Sequence, residues 1–250
     1  MGLDIYAGTL TRYYTHNWKT AAQQFAEANG LGFQMIRAQQ QEELSVEEVK
    51  EAVTRWRDNI IDGLELDPVP LWNEDYDVTP YYTDKPDWDA INALLLYISA
   101  KYTDKEVPAT IEKDMDIYEH PIVKGFLETK DFKVSLFDGN GWWLPIDRNI
   151  MFQYVLPNSE ESPLATNALL LAELERYNAF EWNADRDTII SWSTTEGYPA
   201  DASYSREEGY REVEMHEAYE TESLAKFAFS ILWQAVEFSM EHGTVIVYDF

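Results

Sequence analysis

The sequence predicts an α+β protein in which a mixed or antiparallel sheet carries about five helices. Helical and strand patterns occur in mixed order, without the regular strand–helix alternation of a doubly wound sheet. Hydrophobic residues make up 45% of the chain and aromatic residues 14%, which is enough for a core and excludes global disorder. We therefore predict a single acidic domain over residues 1–250, and a sub-domain break near 103–110 is the alternative.

A strand and two helices are predicted in the N-terminal region. Residues 3–10 predict the first strand, with Gly8 as a bulge or a point of close approach. A helix follows over 19–28. The clearest helix begins at Ser45, whose hydroxyl can cap the chain while Glu48 reaches back in a capping box.

Prolines and aromatic residues among acids predict an irregular crossing over residues 64–83. Asp84 or Asp87 can cap the helix that follows. Strands and turns are then predicted between about 107 and 156. Within them, an Asn-Gly turn joins residues 132–137 to 142–144 in a predicted hairpin.

The C-terminal part predicts two more helices and a last strand. Ser162-Pro163 has the pattern of a helix start, with a cap and a first-turn proline, and the helix continues to about Tyr177. A long helix is predicted over 223–241. The β-branched run 244–248 predicts a central strand.

Composition excludes several classes of function. The chain has no cysteine, so disulfide frameworks, thiolate metal sites and thiol nucleophiles are excluded. The N-terminus lacks the pattern of a signal peptide, and no apolar run reaches the ~20 residues of a membrane span. We expect a cytoplasmic protein that does not bind membranes.

The charge predicts the kind of partner. The 46 acids outnumber the 19 bases, which gives a formal charge of −27. This charge repels nucleic acid, so no direct nucleic-acid binding is expected, and it attracts basic partners. Solubility alone is the other interpretation of such acidity.

Residues 196–222 form the most unusual stretch, because acids and tyrosines alternate there with only two bases, Arg206 and Arg211. Tyrosine adds rigid amphipathic contact area to a charged surface. The residues predicted to bind a partner are Tyr204, Glu207, Glu208, Tyr210, Glu212, Glu214, Glu217 and Tyr219.

Catalytic motifs are missing from the sequence. No serine lies in a nucleophile elbow, and the glycines do not form a phosphate-binding loop. The alternative metal site would draw on Glu214, His216 and Glu217, but no metal-ligand spacing of a known kind supports it, and no cofactor is expected. The alternative small-molecule site is Asp4 with His16 and the aromatic residues Tyr6, Tyr13, Tyr14 and Trp18.

Two functions follow as hypotheses. The first is an intracellular acidic binding module, such as an immunity-type protein, an inhibitor or a phage-style decoy, that captures a basic protein and has no enzymatic activity. The second is a small metal-assisted hydrolase of unknown substrate. The sequence leaves the oligomeric state open.

Overall fold

A computed structural model describes residues 2–32, 44–129, 134–138, 141–199 and 217–250. They form an α+β protein with a mixed sheet, as predicted, but with eight α-helices in the described ranges instead of about five. The strands are β1 Asp4–Gly8, β2 Tyr82–Asp84, β3 Thr110–Glu112, β4 Trp142–Leu144, β5 Met151–Val155, β6 Glu161–Thr166, β7 Ala218–Glu220 and β8 Val245–Asp249. The helices are α1 Leu10–Tyr14, α2 Ala21–Ala28, α3 Val46–Gly63, α4 Asp87–Tyr102, α5 Pro121–Thr129, α6 Asn167–Phe180, α7 Arg186–Thr195 and α8 Thr221–His242.

The chain divides into two compact units. The first comprises residues 1–85, 134–175 and 234–250, and the second comprises 86–133 and 176–233. The prediction of a single domain with a break near 103–110 stays a prediction.

The first unit is built on a six-stranded sheet in the order β2-β1-β8-β4-β6-β5. Among the strand pairs that the structure describes in this sheet, only β4–β6 is parallel. The predicted central strand is confirmed, because β8 lies between β1 and β4. Val245 and Val247 face one core and Ile246 is equally buried on the other side, which explains the continuous apolar run of this strand.

Helix α3 covers one face of this sheet. Ser45 and Glu48 form the predicted capping box, which fixes the start of the helix. Val49, Val53 and Trp56 recur at helical spacing and are buried in the same cluster as Val247 of β8. The Trp56 indole also donates to the Val155 carbonyl at 2.6 Å, which fastens the helix to the edge strand β5.

The second unit contains the two-stranded ribbon β3–β7, helices α4, α5 and α7, and parts of α6 and α8. Helix α4 is buried almost all round from Asp89 to Ala100, rather than along one stripe. Neither Asp84 nor Asp87 caps it: Pro86 stands at the cap position without a side-chain hydrogen bond.

The predicted hairpin is wrong. Strand β4 pairs with β6 and β8 instead, so both of its edges are occupied inside the sheet. Residues 134–138 form a turn in which the Asp138 carboxylate accepts from the Val134 N–H at 3.1 Å. Gly139 and Asn140 lie outside the described residues.

The predicted helix start at Ser162-Pro163 is also wrong, because these residues lie in β6. Leu156 donates its N–H to the Glu160 carbonyl, and hydrogen-bonded pairs then alternate along the β5–β6 ladder. Pro163, opposite Gln153, therefore falls at a position that needs no donor. The helix starts four residues later, at Asn167.

Candidate functional site: an acidic ribbon

The structure describes two of the predicted partner-binding residues, Glu217 and Tyr219. Both belong to or adjoin β7 of the second unit. The other six lie in the range 200–216, outside the described residues: Tyr204, Glu207, Glu208, Tyr210, Glu212 and Glu214.

Strands β3 and β7 form an antiparallel ribbon that sorts its side chains onto two sides. Ile111 pairs with Tyr219, and Ile111 is fully buried, so this pair faces inward. Thr110 pairs with Glu220, and both are exposed. The Lys113 N–H donates to the Glu217 carbonyl at 2.9 Å and extends the ribbon by one more bond.

The ribbon carries exposed acids on its strands and directly beside them. Glu112, Glu217 and Glu220 are exposed, and the pairing of β3 with β7 brings them onto one short ribbon. The adjoining residues 104–119 add more exposed acids against two exposed bases, Lys105 and Lys113. These added acids are Asp104, Glu106, Asp114, Asp116 and Glu119. We call Glu112, Asp114, Asp116, Glu217 and Glu220 the acidic ribbon.

Tyr198 anchors the chain next to the ribbon. Its ring lies 5.1 Å from the Tyr219 ring in a T-shaped contact. Its hydroxyl donates to the Pro86 carbonyl at 2.9 Å and accepts from the Ala90 N–H at 3.2 Å. Ala90 is in the first turn of α4, where backbone N–H groups lack helical partners, so this hydroxyl caps the helix. Burial raises the pKa of Tyr198, and the phenol stays neutral.

Gly197 makes this anchor possible. Its φ of +119° is one that residues with a Cβ rarely adopt, and a Cβ there would lie 3.1 Å from Cγ of Phe227. The Gly197 N–H donates to the Ser223 hydroxyl at 3.0 Å, and that hydroxyl donates to Glu196 at 2.7 Å. These contacts hold the chain at 196–198, and the acids of the ribbon take no part in them.

The structure does not bring the residues of the alternative small-molecule site together. Tyr13, Tyr14 and Trp18 join Tyr6 and Trp142 in a packed aromatic cluster whose ring centroids lie 4.8–6.3 Å apart. His16 is exposed, with a left-handed φ of 53°. The aromatic residues therefore serve the core of the first unit, and Gly8 permits the close approach that the sequence predicts, because the Tyr6 ring lies over it.

Sequence reasoning missed two buried acids in the first unit. Glu74 accepts from the N–H and hydroxyl of Thr11 at 2.9 and 3.0 Å, and from the Trp72 indole at 3.2 Å. Glu173 holds Ser135 in a similar way. Thr11 is 63 residues from Glu74 in the chain, so no local pattern could have indicated the contact.

The metal-site alternative stays a prediction. Glu214 and His216 lie outside the described residues, and Glu217 is exposed. Within the described ranges, no group of three or more His, Asp or Glu residues is placed to hold a metal ion. Among the helices described, none is both long and apolar enough to cross a membrane.

Comparisons with protein-family models, with curated proteins and with solved structures give no match.

Proposed function

We propose that the protein is an intracellular binding module, of the immunity or inhibitor type, that captures a basic protein on the acidic ribbon. The observation that carries the proposal is the ribbon itself. Exposed Glu112 and Glu220 are held on paired strands, and Glu217 directly precedes β7, while Tyr198 and Gly197 fix the neighbouring chain through neutral hydrogen bonds. The hydrogen bonds that position these acids thus leave their negative charges unneutralised.

Fixed negative charge suits the capture of a basic surface. Complementary potentials raise association rates and select partners, and rigid strands lose little entropy when a partner binds. The net charge of −27 adds a long-range attraction, which salt screens over about 10 Å at 0.1 M. The predicted residues in 200–216 would add four more glutamates and two tyrosines next to the ribbon in the chain.

A cytoplasmic location is part of the proposal. The absence of cysteine from all 250 residues fits a reducing compartment, where disulfides do not contribute to stability. An inhibitor that acts inside the cell would meet its basic partner there.

The test is affinity capture from lysate of the source cells at low and at high salt, with three matched baits. The baits are the wild type, a ribbon variant (Glu112→Lys, Glu217→Lys, Glu220→Lys) and a control variant with the same charge change on exposed acids of the first unit (Glu51→Lys, Asp62→Lys, Asp77→Lys). We expect one basic protein on the wild type and the control at low salt, reduced at high salt and lost from the ribbon variant. Equal capture by all three baits would contradict the proposal.

A further inference from the structure

A cleft lined mainly by aromatic rings opens between the C-terminal ends of α4 and α6 in the second unit. Its walls come from one face of α4 and from the end of α6 with the residues that follow it, and they include Tyr97, Lys101, Tyr102, Phe180, Glu181 and Trp182. Its volume is about 290 Å³ with its open mouth, below the range of about 300–1,000 Å³ typical of small-molecule sites. The cleft therefore suits one side chain of a partner better than a free ligand.

The rings are fixed at the base of the cleft and exposed at its rim. Tyr97 is 5% exposed, and its ring stacks on that of Trp182 with the centroids 5.0 Å apart. The rings of Trp192 and Phe229 support Trp182 in T-shaped contacts at 5.1 and 5.0 Å. Phe180, by contrast, is 65% exposed. A side chain that enters the cleft would thus meet rings that are already held in place, which keeps the entropy loss of binding small.

A cation of the chain itself already lies in this cleft. The Lys101 ammonium is 2.9 Å from a carboxylate oxygen of Glu181 and 5.4 Å from the centre of the Tyr97 ring. These distances are those of an ion pair and of a cation–π contact. The hydrogen bond to Glu181 raises the pKa of Lys101, and the negative charge of Glu222 adds to this. The cleft thus offers the carboxylate and the ring that bind a positively charged side chain.

The cleft lies close to the acidic ribbon. Glu222, whose charge acts on both Lys101 and Tyr97, is in the first turn of α8. It follows Glu220 of the ribbon by two positions in the chain. The cleft and the ribbon belong to the same unit. A basic partner that is attracted to the ribbon would therefore bring its positive side chains next to the cleft.

We propose that this cleft is the arginine pocket of the binding site, and that Lys101 occupies it in the free protein in place of an arginine of the partner. The inference rests on the proposed function, because it names the side chain that anchors the basic partner. On binding, the guanidinium takes the position of the ammonium between Glu181 and Tyr97. Lys101, whose side chain is 34% exposed, then turns to the solvent.

Arginine has two advantages over the lysine that it displaces. A guanidinium is planar and offers paired N–H donors to a carboxylate such as that of Glu181, whereas an ammonium is a compact point charge. A guanidinium is also more weakly hydrated and stacks on aromatic rings, while the released ammonium recovers its hydration in water. Arginines that fill pockets supply much of the affinity of an interface, whereas exposed charges mainly raise the association rate. The cleft and the ribbon therefore perform different tasks.

The first test compares two probe peptides by isothermal titration calorimetry at low salt. One is a short lysine peptide with a single arginine at its centre, and the other is the all-lysine peptide of the same length and charge. We expect the wild type to bind the arginine peptide about tenfold more tightly. Glu181→Gln and Phe180→Ala should each remove most of this preference, because they remove the carboxylate and the exposed ring of the cleft.

The outcomes separate the cleft from the ribbon. The ribbon variant should bind both peptides more weakly and keep the preference for arginine. Equal affinities of the wild type for the two peptides would overturn the arginine pocket and leave capture on the ribbon in place. If the wild type bound neither peptide, the proposed function would be contradicted as well, because the ribbon itself predicts attraction of basic peptides.

The second test removes the internal competitor. Lys101→Ala frees Glu181 and Tyr97, so we expect the arginine peptide to bind about fivefold or more tightly than it binds the wild type. Lys226 is the matched control, because it lies 5.8 Å from the Trp192 ring and 2.8 Å from Glu222 but is not among the residues that line the cleft.

The control variant Lys226→Ala removes the same charge from the same unit. It should change the affinities for the arginine and the lysine peptide by the same factor and leave their ratio as in the wild type. Weaker binding of the arginine peptide to Lys101→Ala, or the same change in both variants, would show that Lys101 does not occupy the site of a partner's arginine.

Discussion

The buried acids of the first unit and the exposed acids of the ribbon perform opposite tasks with the same functional group. Glu74 and Glu173 each receive an N–H and an O–H from one residue; Glu74 thereby holds the first turn of α1, and Glu173 holds the turn 134–138. Glu112 and Glu220 lie on paired strands, and Glu217 directly precedes β7 and accepts the Lys113 N–H at its carbonyl. Hydrogen-bond donors, not the number of acids, therefore decide which carboxylates build the fold and which stay available.

The two buried acids also differ from each other. Glu74 receives the Trp72 indole directly, whereas the corresponding indole, that of Trp143, donates to Ser135 instead of Glu173. Burial raises the pKa of both carboxyls, and the added negative charge of Asp138 raises that of Glu173. Glu74 thus receives one more side-chain donor for its charge than Glu173 does.

The largest loss of stability is expected from removal of the buried carboxylate of Glu74. Glu74→Ala leaves the Thr11 N–H, the Thr11 hydroxyl and the Trp72 indole without their acceptor in a buried site. We expect a loss of about 3 kcal/mol or more in the free energy of unfolding, measured by urea denaturation. Glu51→Ala, which removes an exposed acid of α3, is the control and should leave the midpoint unchanged. Similar losses of unfolding free energy in both variants would show that the buried acid contributes no more to stability than the exposed one.

A smaller loss of stability is expected from a change at Gly197, whose backbone conformation lets Tyr198 make its contacts. Gly197→Ala places a Cβ 3.1 Å from Phe227 at a φ of +119°, and it should cost about 1–3 kcal/mol. Gly125 of α5 has open space and an ordinary helical backbone, so Gly125→Ala should stabilise by about 0.5–1 kcal/mol. The thermal unfolding midpoints of the two variants should shift in opposite directions from that of the wild type. A Gly197→Ala protein as stable as the wild type would show that the backbone at this position does not require glycine.

Loss of one hydroxyl should have the smallest effect on stability. Tyr198→Phe keeps the ring contact with Tyr219 but removes the bonds to Pro86 and Ala90, which we expect to cost about 1–2 kcal/mol. Hydrogen exchange should increase at the first turn of α4, because the Ala90 N–H loses its acceptor. Unchanged exchange at Ala90 would show that Tyr198 does not cap this helix.

The sequence predicted correctly those elements that depend on residues close to one another in the chain. Helix α3 follows from the capping box at Ser45 and its apolar stripe, and β8 follows from its β-branched run. The hairpin failed because an Asn-Gly turn signal carries no information about the competing partners β6 and β8. Ser162-Pro163 failed because a proline at a non-hydrogen-bonded ladder position looks the same in the sequence as a proline in the first turn of a helix.

The candidate site could be predicted only in part. The composition of residues 196–222 predicted an acidic, tyrosine-rich surface; of its two described site residues, Glu217 is exposed, whereas Tyr219 pairs with the buried Ile111 and faces inward. Pairing with β3 was not foreseeable, because it adds Glu112 and Asp114 from a stretch about a hundred residues earlier in the chain. Glu173 was missed for the same reason: it was one polar residue in a helical pattern until the fold placed Ser135 against it.

The central claim is that the acidic ribbon captures a basic protein, and the rate of association tests it most directly. Once capture has identified the partner, its on-rate should be measured over a range of ionic strength for the wild type, the ribbon variant and the control variant. We expect the ribbon variant to associate about tenfold or more slowly at low salt, to approach the wild type as salt rises, and to keep the wild-type unfolding midpoint. An on-rate that the ribbon variant shares with the wild type at every ionic strength would remove the ribbon from the binding mechanism.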